Sequence, residues 1–173
     1  MQRYDVTAEM YDERYSAEQH AKYMKALENV QVGSTKVLDV GCGSGLFFRE
    51  VAGQTDLVVG VDVSKKLLLK AKLQAQALSN VFVVQADADH LPFVDGFFGV
   101  VFSFTVLQNL PKPAQTLSEM KRLVKSRGKV VVTGLKKAFP LTAFMDLLED
   151  SGMQLVSFAD DEEINCYVAV LAA

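Results

Sequence analysis

The chain has 173 residues, half of them apolar, which is enough for one buried core and short for two. Its formal charge of -3 is spread along the whole length with no block of like sign, so direct, unaided nucleic-acid binding is disfavoured. Two cysteines, Cys42 and Cys166, give neither a disulfide framework nor metal-ligand spacing, and a reducing, cytoplasmic setting is expected.

The first residues, Met1 to Tyr15, carry charges where a signal peptide would need an unbroken apolar stretch, so export is not expected. A first helix is predicted over Ser16 to Val30, with Ser16 and Gln19 in capping-box spacing and Ala17, Ala21, Met24 and Leu27 as its inward stripe. His20 falls in this helix, where a solvated or capping role is expected rather than catalysis. Lys36 to Val40 then reads as a buried strand, and the loop Gly41-Cys42-Gly43-Ser44-Gly45 ends it and opens a helix. Glycine there permits both a turn and a close backbone approach to a ligand. An NAD fingerprint requires a sixth-position glycine, which here is Leu46, so that reading is weakened. A tight strand-to-helix turn without a ligand is the alternative.

Leu57 to Val63 is the second strand, with Asp62 at its tip, and Ser64 caps a helix to Leu78 with Leu67, Ala71, Ala75 and Leu78 inward. Asp62 either accepts ligand hydroxyls or helps Ser64 begin that helix. Val81 to Gln85 is the third strand, and the acidic segment Ala86-Asp87-Ala88-Asp89-His90-Leu91-Pro92-Phe93 follows it. Gly99 to Phe104 forms a fourth strand, Pro113 to Lys125 a helix with Gly128 beyond its end, and Lys129 to Leu135 a fifth strand. The run Phe97 to Leu107 is too short to span a bilayer, which takes roughly 20 residues. A last helix, Leu141 to Asp150, precedes two short runs, Gln154 to Phe158 and Asn165 to Leu171. The acidic turn between them leaves no room for a crossover helix, so they form an antiparallel hairpin. The alternation of strands and helices predicts an α/β fold, a Rossmann-like three-layer sandwich with a seven-stranded, mostly parallel sheet. One domain is expected over 1–173, with a helical cap at 1–33, a core at 34–135 and the last helix and hairpin at 136–173.

The segment LDVGCGSG, followed by Gly60-Val61-Asp62-Val63-Ser64, the Asp87-Ala88 pair with Leu91-Pro92-Phe93, and Phe98 to Leu110, resembles the motif series of class I S-adenosylmethionine-dependent methyltransferases. The resemblance runs from Tyr4 to the final hairpin. It implies S-adenosyl-L-methionine as cofactor, with contacts from Tyr11, Asp39, Gly41, Cys42, Gly43, Asp62, Val63, Asp87, Ala88 and Phe104. Asp39 and the amides around Gly41 and Gly43 would hold the methionine part, Asp62 the ribose, and Asp87 with the Ala88 amide the adenine. Tyr11 would meet the carboxylate and sulfonium, or else pack on the sheet.

Two departures stand out: Gly99 replaces the usual Asp after Phe98, and Gln108-Asn109 replace a common His pair expected near the transferred methyl. Glu119 to Gly128 reads as scaffold. No catalytic residue and no metal ligand is assigned, because displacement from a sulfonium needs alignment rather than a dedicated acid. The short stretch between strand five and the last helix implies an open acceptor site, favouring a larger substrate or a partner that completes the pocket. The family strand order would also put apolar Val81 to Val84 at a sheet edge. Either a second subunit pairs there or neighbouring helices and loops cover it. The acceptor is open between small molecules, proteins, and RNA bound through a partner. A non-catalytic cofactor-binding subunit is the second functional reading, and a nucleotide-dependent oxidoreductase the third.

Overall fold

The computed structural model describes residues 17–173; Tyr11 and the Ser16 cap lie outside them. Helix α1 runs through 17–27. After it come β1 (Lys36–Val40), α2 (Phe48–Val51), β2 (Leu57–Asp62), α3 (Lys65–Gln76), β3 (Val81–Gln85), β4 (Phe98–Ser103), α4 (Pro113–Leu123), β5 (Val124–Leu135), α5 (Leu141–Asp150), β6 (Gln154–Ala159) and β7 (Cys166–Ala172). They form one seven-stranded sheet in the order β3-β2-β1-β4-β5-β7-β6. The first five strands are parallel and β7 is antiparallel to both its neighbours, as the alternating pattern and the terminal hairpin predict.

Residues alternate faces along a strand, so each β-rich run feeds two cores. Val37, Val58, Val100, Phe102 and Val131 point to the side covered by α1, α2 and α3. Leu38, Val59, Val101, Val130 and Val132 point to the side covered by α4 and α5. Ser64 accepts the Leu67 N–H at 3.3 Å, an N-cap worth about 1 kcal/mol.

Three expectations change. The buried stripe of α1 is not Ala17, Ala21 and Met24, all exposed, but Gln19, Lys22, Tyr23 and Ala26, with Val30 just past the helix. Alanine offers little area, whereas Tyr23 packs its ring on Phe47 and Phe104 at 4.9 and 4.7 Å, and that contact sets the rotation of the helix. Strand β5 begins at Val124 rather than Lys129, because Val124 pairs with Phe98 and the register shifts before Val100. Strand β4 begins at Phe98 rather than Gly99, which places Gly99 inside the strand and not at its start. A Cβ there would meet Thr35 Oγ1 at 2.0 Å, so a side chain is excluded by the neighbouring loop.

Candidate active site

The carboxyl ends of β1, β2, β3 and β4 open on one side of the sheet, where the strand order reverses between β1 and β4. A cavity of about 360 Å³ lies there. Gly41, Gly43, Val61, Asp62, Val63, Asp87, Ala88 and Phe104 line it, together with Thr105, Val106, Asn109 and the Leu110-Pro111 pair. Of the ten predicted cofactor contacts, Gly41, Gly43, Asp62, Val63, Asp87, Ala88 and Phe104 are brought together here. Asp39 and Cys42 are not among the lining residues, and Tyr11 lies outside the described residues.

The glycine loop is held differently from the sequence expectation of free amides at a helix start. The N–H groups of Gly41 and Cys42 both donate to Val61 O, at 2.8 and 2.9 Å, and Gly43 N–H donates to Asp62 Oδ2 at 2.9 Å. The loop is thereby pinned to the end of β2, and a turn separates it from α2, which begins only at Phe48. Gly41 sits at φ 75° under Val106, whose Cγ2 would be 2.2 Å from an added Cβ. Only glycine combines that backbone with that approach.

Asp62 has two jobs. Its Oδ1 accepts the Ser64 N–H at 2.8 Å, opening α3, while Oδ2 holds the loop. A carboxylate offers about four acceptor sites, so these bonds are compatible with receiving ligand hydroxyls. Asp39, nearly fully buried one strand away, has its carboxyl pushed up from 3.8 to about 8 by desolvation and then by the charge of Asp62. A bound cation would reverse that shift. The Cys42 thiol turns into the core, its Sγ 2.9 Å from where a Cβ on Gly60 would stand, and burial raises its pKa well above the ordinary value.

The acidic segment after β3 is built by α4, which the sequence marked only as scaffold. Thr116, Glu119 and Arg122 lie three residues apart on one helix face. Thr116 Oγ1 donates to Asp89, and Glu119 Oε1 accepts the Leu91 N–H at 2.8 Å. Arg122 donates to the Leu91 and Phe93 carbonyls at 3.1 and 2.9 Å, to Asp95 at 2.5 Å and to both Glu119 oxygens. The guanidinium holds the Glu119 carboxyl below the usual range, so the clamp is ionic at neutral pH. Asp87 Oδ1 in turn accepts the Asp89 N–H at 3.0 Å. Sequence proximity could not have shown this, because the partners are about thirty residues apart.

Beyond β4, Asn109 lines the cavity, but its Nδ2 and Gln108 Nε2 both donate to Thr105 O, at 3.0 and 2.7 Å. Gln108 folds back onto the turn rather than reaching the cavity. His20 is exposed and pairs with Glu50 at 3.3 Å, as a solvated role predicts.

This sheet order, with a glycine loop after the first strand and carboxylates after the next two, agrees with a comparison of the sequence to known families. Residues 38–132 match a family model described as a methyltransferase domain. The chain belongs to that methyltransferase domain family. Class I architecture and S-adenosyl-L-methionine as cofactor go with this membership. The demethylmenaquinone methyltransferase of Staphylococcus epidermidis is 38% identical over 122 residues, covering 67% of this chain and 50% of that protein. The chain thus spans about half the length of the curated relatives it matches. Among solved structures, a SAM-dependent methyltransferase from Aquifex aeolicus superposes with TM-score 0.83 at 19% identity, over 97% of both chains. A chain from the complex between the Haloferax volcanii Trm112 methyltransferase activator and a methyltransferase superposes with TM-score 0.85 at 17% identity, over 98% of this chain and 97% of that one. At these identities the likeness is one of fold.

The cavity of this methyltransferase domain fits the cofactor. Asp62 and Asp87 at successive strand ends have the acceptor chemistry for a ribose and an exocyclic amine, and the apolar Val63, Ala86 and Ala88 line the cavity beside them. No helix among the described residues is long and apolar enough to cross a membrane.

Proposed function

We propose that this domain transfers a methyl group to an acceptor bound between the glycine loop and the Phe104 to Pro111 turn. The observation that carries the reading is the convergence of Gly41, Gly43, Asp62 and Asp87 on one cavity that continues to the Thr105-Val106 turn. S-adenosyl-L-methionine supplies an electrophilic methyl on a sulfonium, open to in-line displacement without protonation of the leaving group. In this reading Asp62 receives the ribose hydroxyls, Asp87 and the Ala88 amide read the adenine, and Asp39, ionised when the cationic end binds, offers charge to it. Phe104, Val106 and the Leu110-Pro111 pair present an apolar wall that orients the acceptor.

The acceptor we favour is a quinol-like aromatic, supported by the demethylmenaquinone methyltransferases among the relatives and by that apolar wall. Methyl transfer from labelled cofactor to a panel of quinols, peptides and RNA tests this. Turnover on quinols alone is expected. Cofactor binding with no turnover on any acceptor would instead establish the second reading, a non-catalytic cofactor-binding subunit, favoured by the folded-back Gln108.

A partner subunit on the outer edge of β3 belongs to the same proposal. Phe82 is 57% exposed on that edge strand, only residues 136–140 separate β5 from α5, and the Haloferax neighbour occurs in complex with an activator. Light scattering after size exclusion of the protein purified from its native source should show a second chain, lost on Phe82→Lys. A clean monomer would remove this part of the reading.

A further inference from the structure

We propose that Lys22 is a positioning residue: from α1 it clamps Thr105 in a left-handed backbone that seats the acceptor-side turn on the glycine loop. The inference rests on the cavity as the cofactor site but not on the acceptor. Thr105 has φ 61°, a conformation that a β-branched residue adopts only when its surroundings impose it. It lines the cavity two residues beyond β4. The surroundings that impose the conformation are identifiable. Lys22, 1% exposed, donates from Nζ to Thr105 Oγ1 at 3.2 Å and pairs with Glu18 at 2.9 Å. Thr105 N–H donates to Oγ1 of Thr133, fully buried on β5, at 2.7 Å. Its carbonyl takes the Gln108 and Asn109 side chains.

Glu18 compensates the buried ammonium, so the further bond from Nζ to the neutral Thr105 hydroxyl is not needed for charge balance and acts on the position of Thr105. Its consequence lies one residue on. The left-handed Thr105 turns the chain so that Val106 covers Gly41, where an added Cβ would be 2.2 Å from Val106 Cγ2. Lys22 thus connects the first helix to both walls of the cavity without touching it.

The test uses S-adenosylhomocysteine as probe, measured by calorimetry, with amide exchange over residues 104–110 as a second readout. Lys22→Met should weaken binding about tenfold, which corresponds to about 1.4 kcal/mol, and speed exchange in the turn. Thr105→Val keeps the shape but removes the hydroxyl and should do the same. Thr105→Gly removes the same hydroxyl yet adopts positive φ without strain, so it should bind within about threefold of wild type and restore binding in the Lys22→Met background. If Lys22 merely docked α1, Thr105→Gly would not restore binding in the Lys22→Met background. Equal loss in Thr105→Val and Thr105→Gly, or wild-type binding and exchange by Lys22→Met, would overturn the clamp. If Lys22→Met does not fold, Lys22→Gln takes its place, alone and combined with Thr105→Gly. If the wild type itself fails to bind, the cofactor reading fails, and the exchange order across the variants still decides the clamp.

Discussion

At the scale of single residues, Asp39 carries the clearest pH signature. Its carboxyl titrates near 8 in the native state and near 3.8 when unfolded, so between these values the native state holds the extra proton. Stability contributed by this group is therefore present at low pH and is lost as pH rises from about 4 to about 8, with slope set by that proton difference. Thermal melts of the cofactor-free protein should fall by several degrees across this window relative to Asp39→Asn, in which the slope disappears. Parallel curves for the two proteins would mean that Asp39 is ionised throughout. Gly99 gives a second single-residue test. Introducing the aspartate usual in the family, Gly99→Asp, should cost about 1–3 kcal/mol by overpacking against Thr35, and the companion change Thr35→Gly should recover most of it in urea unfolding.

At the scale of elements, α4 does more than cover the sheet. Its Thr116, Glu119 and Arg122 hold the segment from Asp89 to Asp95 that presents Asp87 and Ala88 to the cavity. Arg122 bonds the Leu91 and Phe93 carbonyls of this loop and, through Glu119, its Leu91 N–H, so Arg122→Ala should weaken S-adenosylhomocysteine binding about tenfold while shifting the melting temperature little. Unchanged affinity in Arg122→Ala would show that the segment holds its shape unaided. Helix α1 illustrates the opposite error of reading. Its stripe was legible as helical period but not in rotation, because a buried lysine and glutamine stand where the eye expects solvent, and only Tyr23 against Phe47 and Phe104 reveals which face turns inward.

At the scale of the whole molecule, the sheet was legible because its information is local. β-branched runs such as Val58-Val59 and Val100-Val101 are apolar at both parities, and they are buried on both faces. The glycine loop and the strand-end carboxylates were legible because their types and order follow from where the chain must turn. What could not be read were bonds between distant segments: the loop amides taken by Val61 O and Asp62, the Arg122 clamp and the Lys22 to Thr105 contact. Each depends on which elements become neighbours, and no local pattern encodes that. The same bonds sharpen Asp62 from a ligand contact into the residue that joins loop, β2 and α3.

Calorimetric titration of S-adenosylhomocysteine into the wild type and Asp62→Ala tests that role most directly. The expected result is 1:1 binding in the micromolar range, lost by at least about a hundredfold in the variant, since two backbone anchors and the proposed ribose acceptor disappear together. Equal affinity in the two proteins, or no binding by the folded wild type, would contradict it.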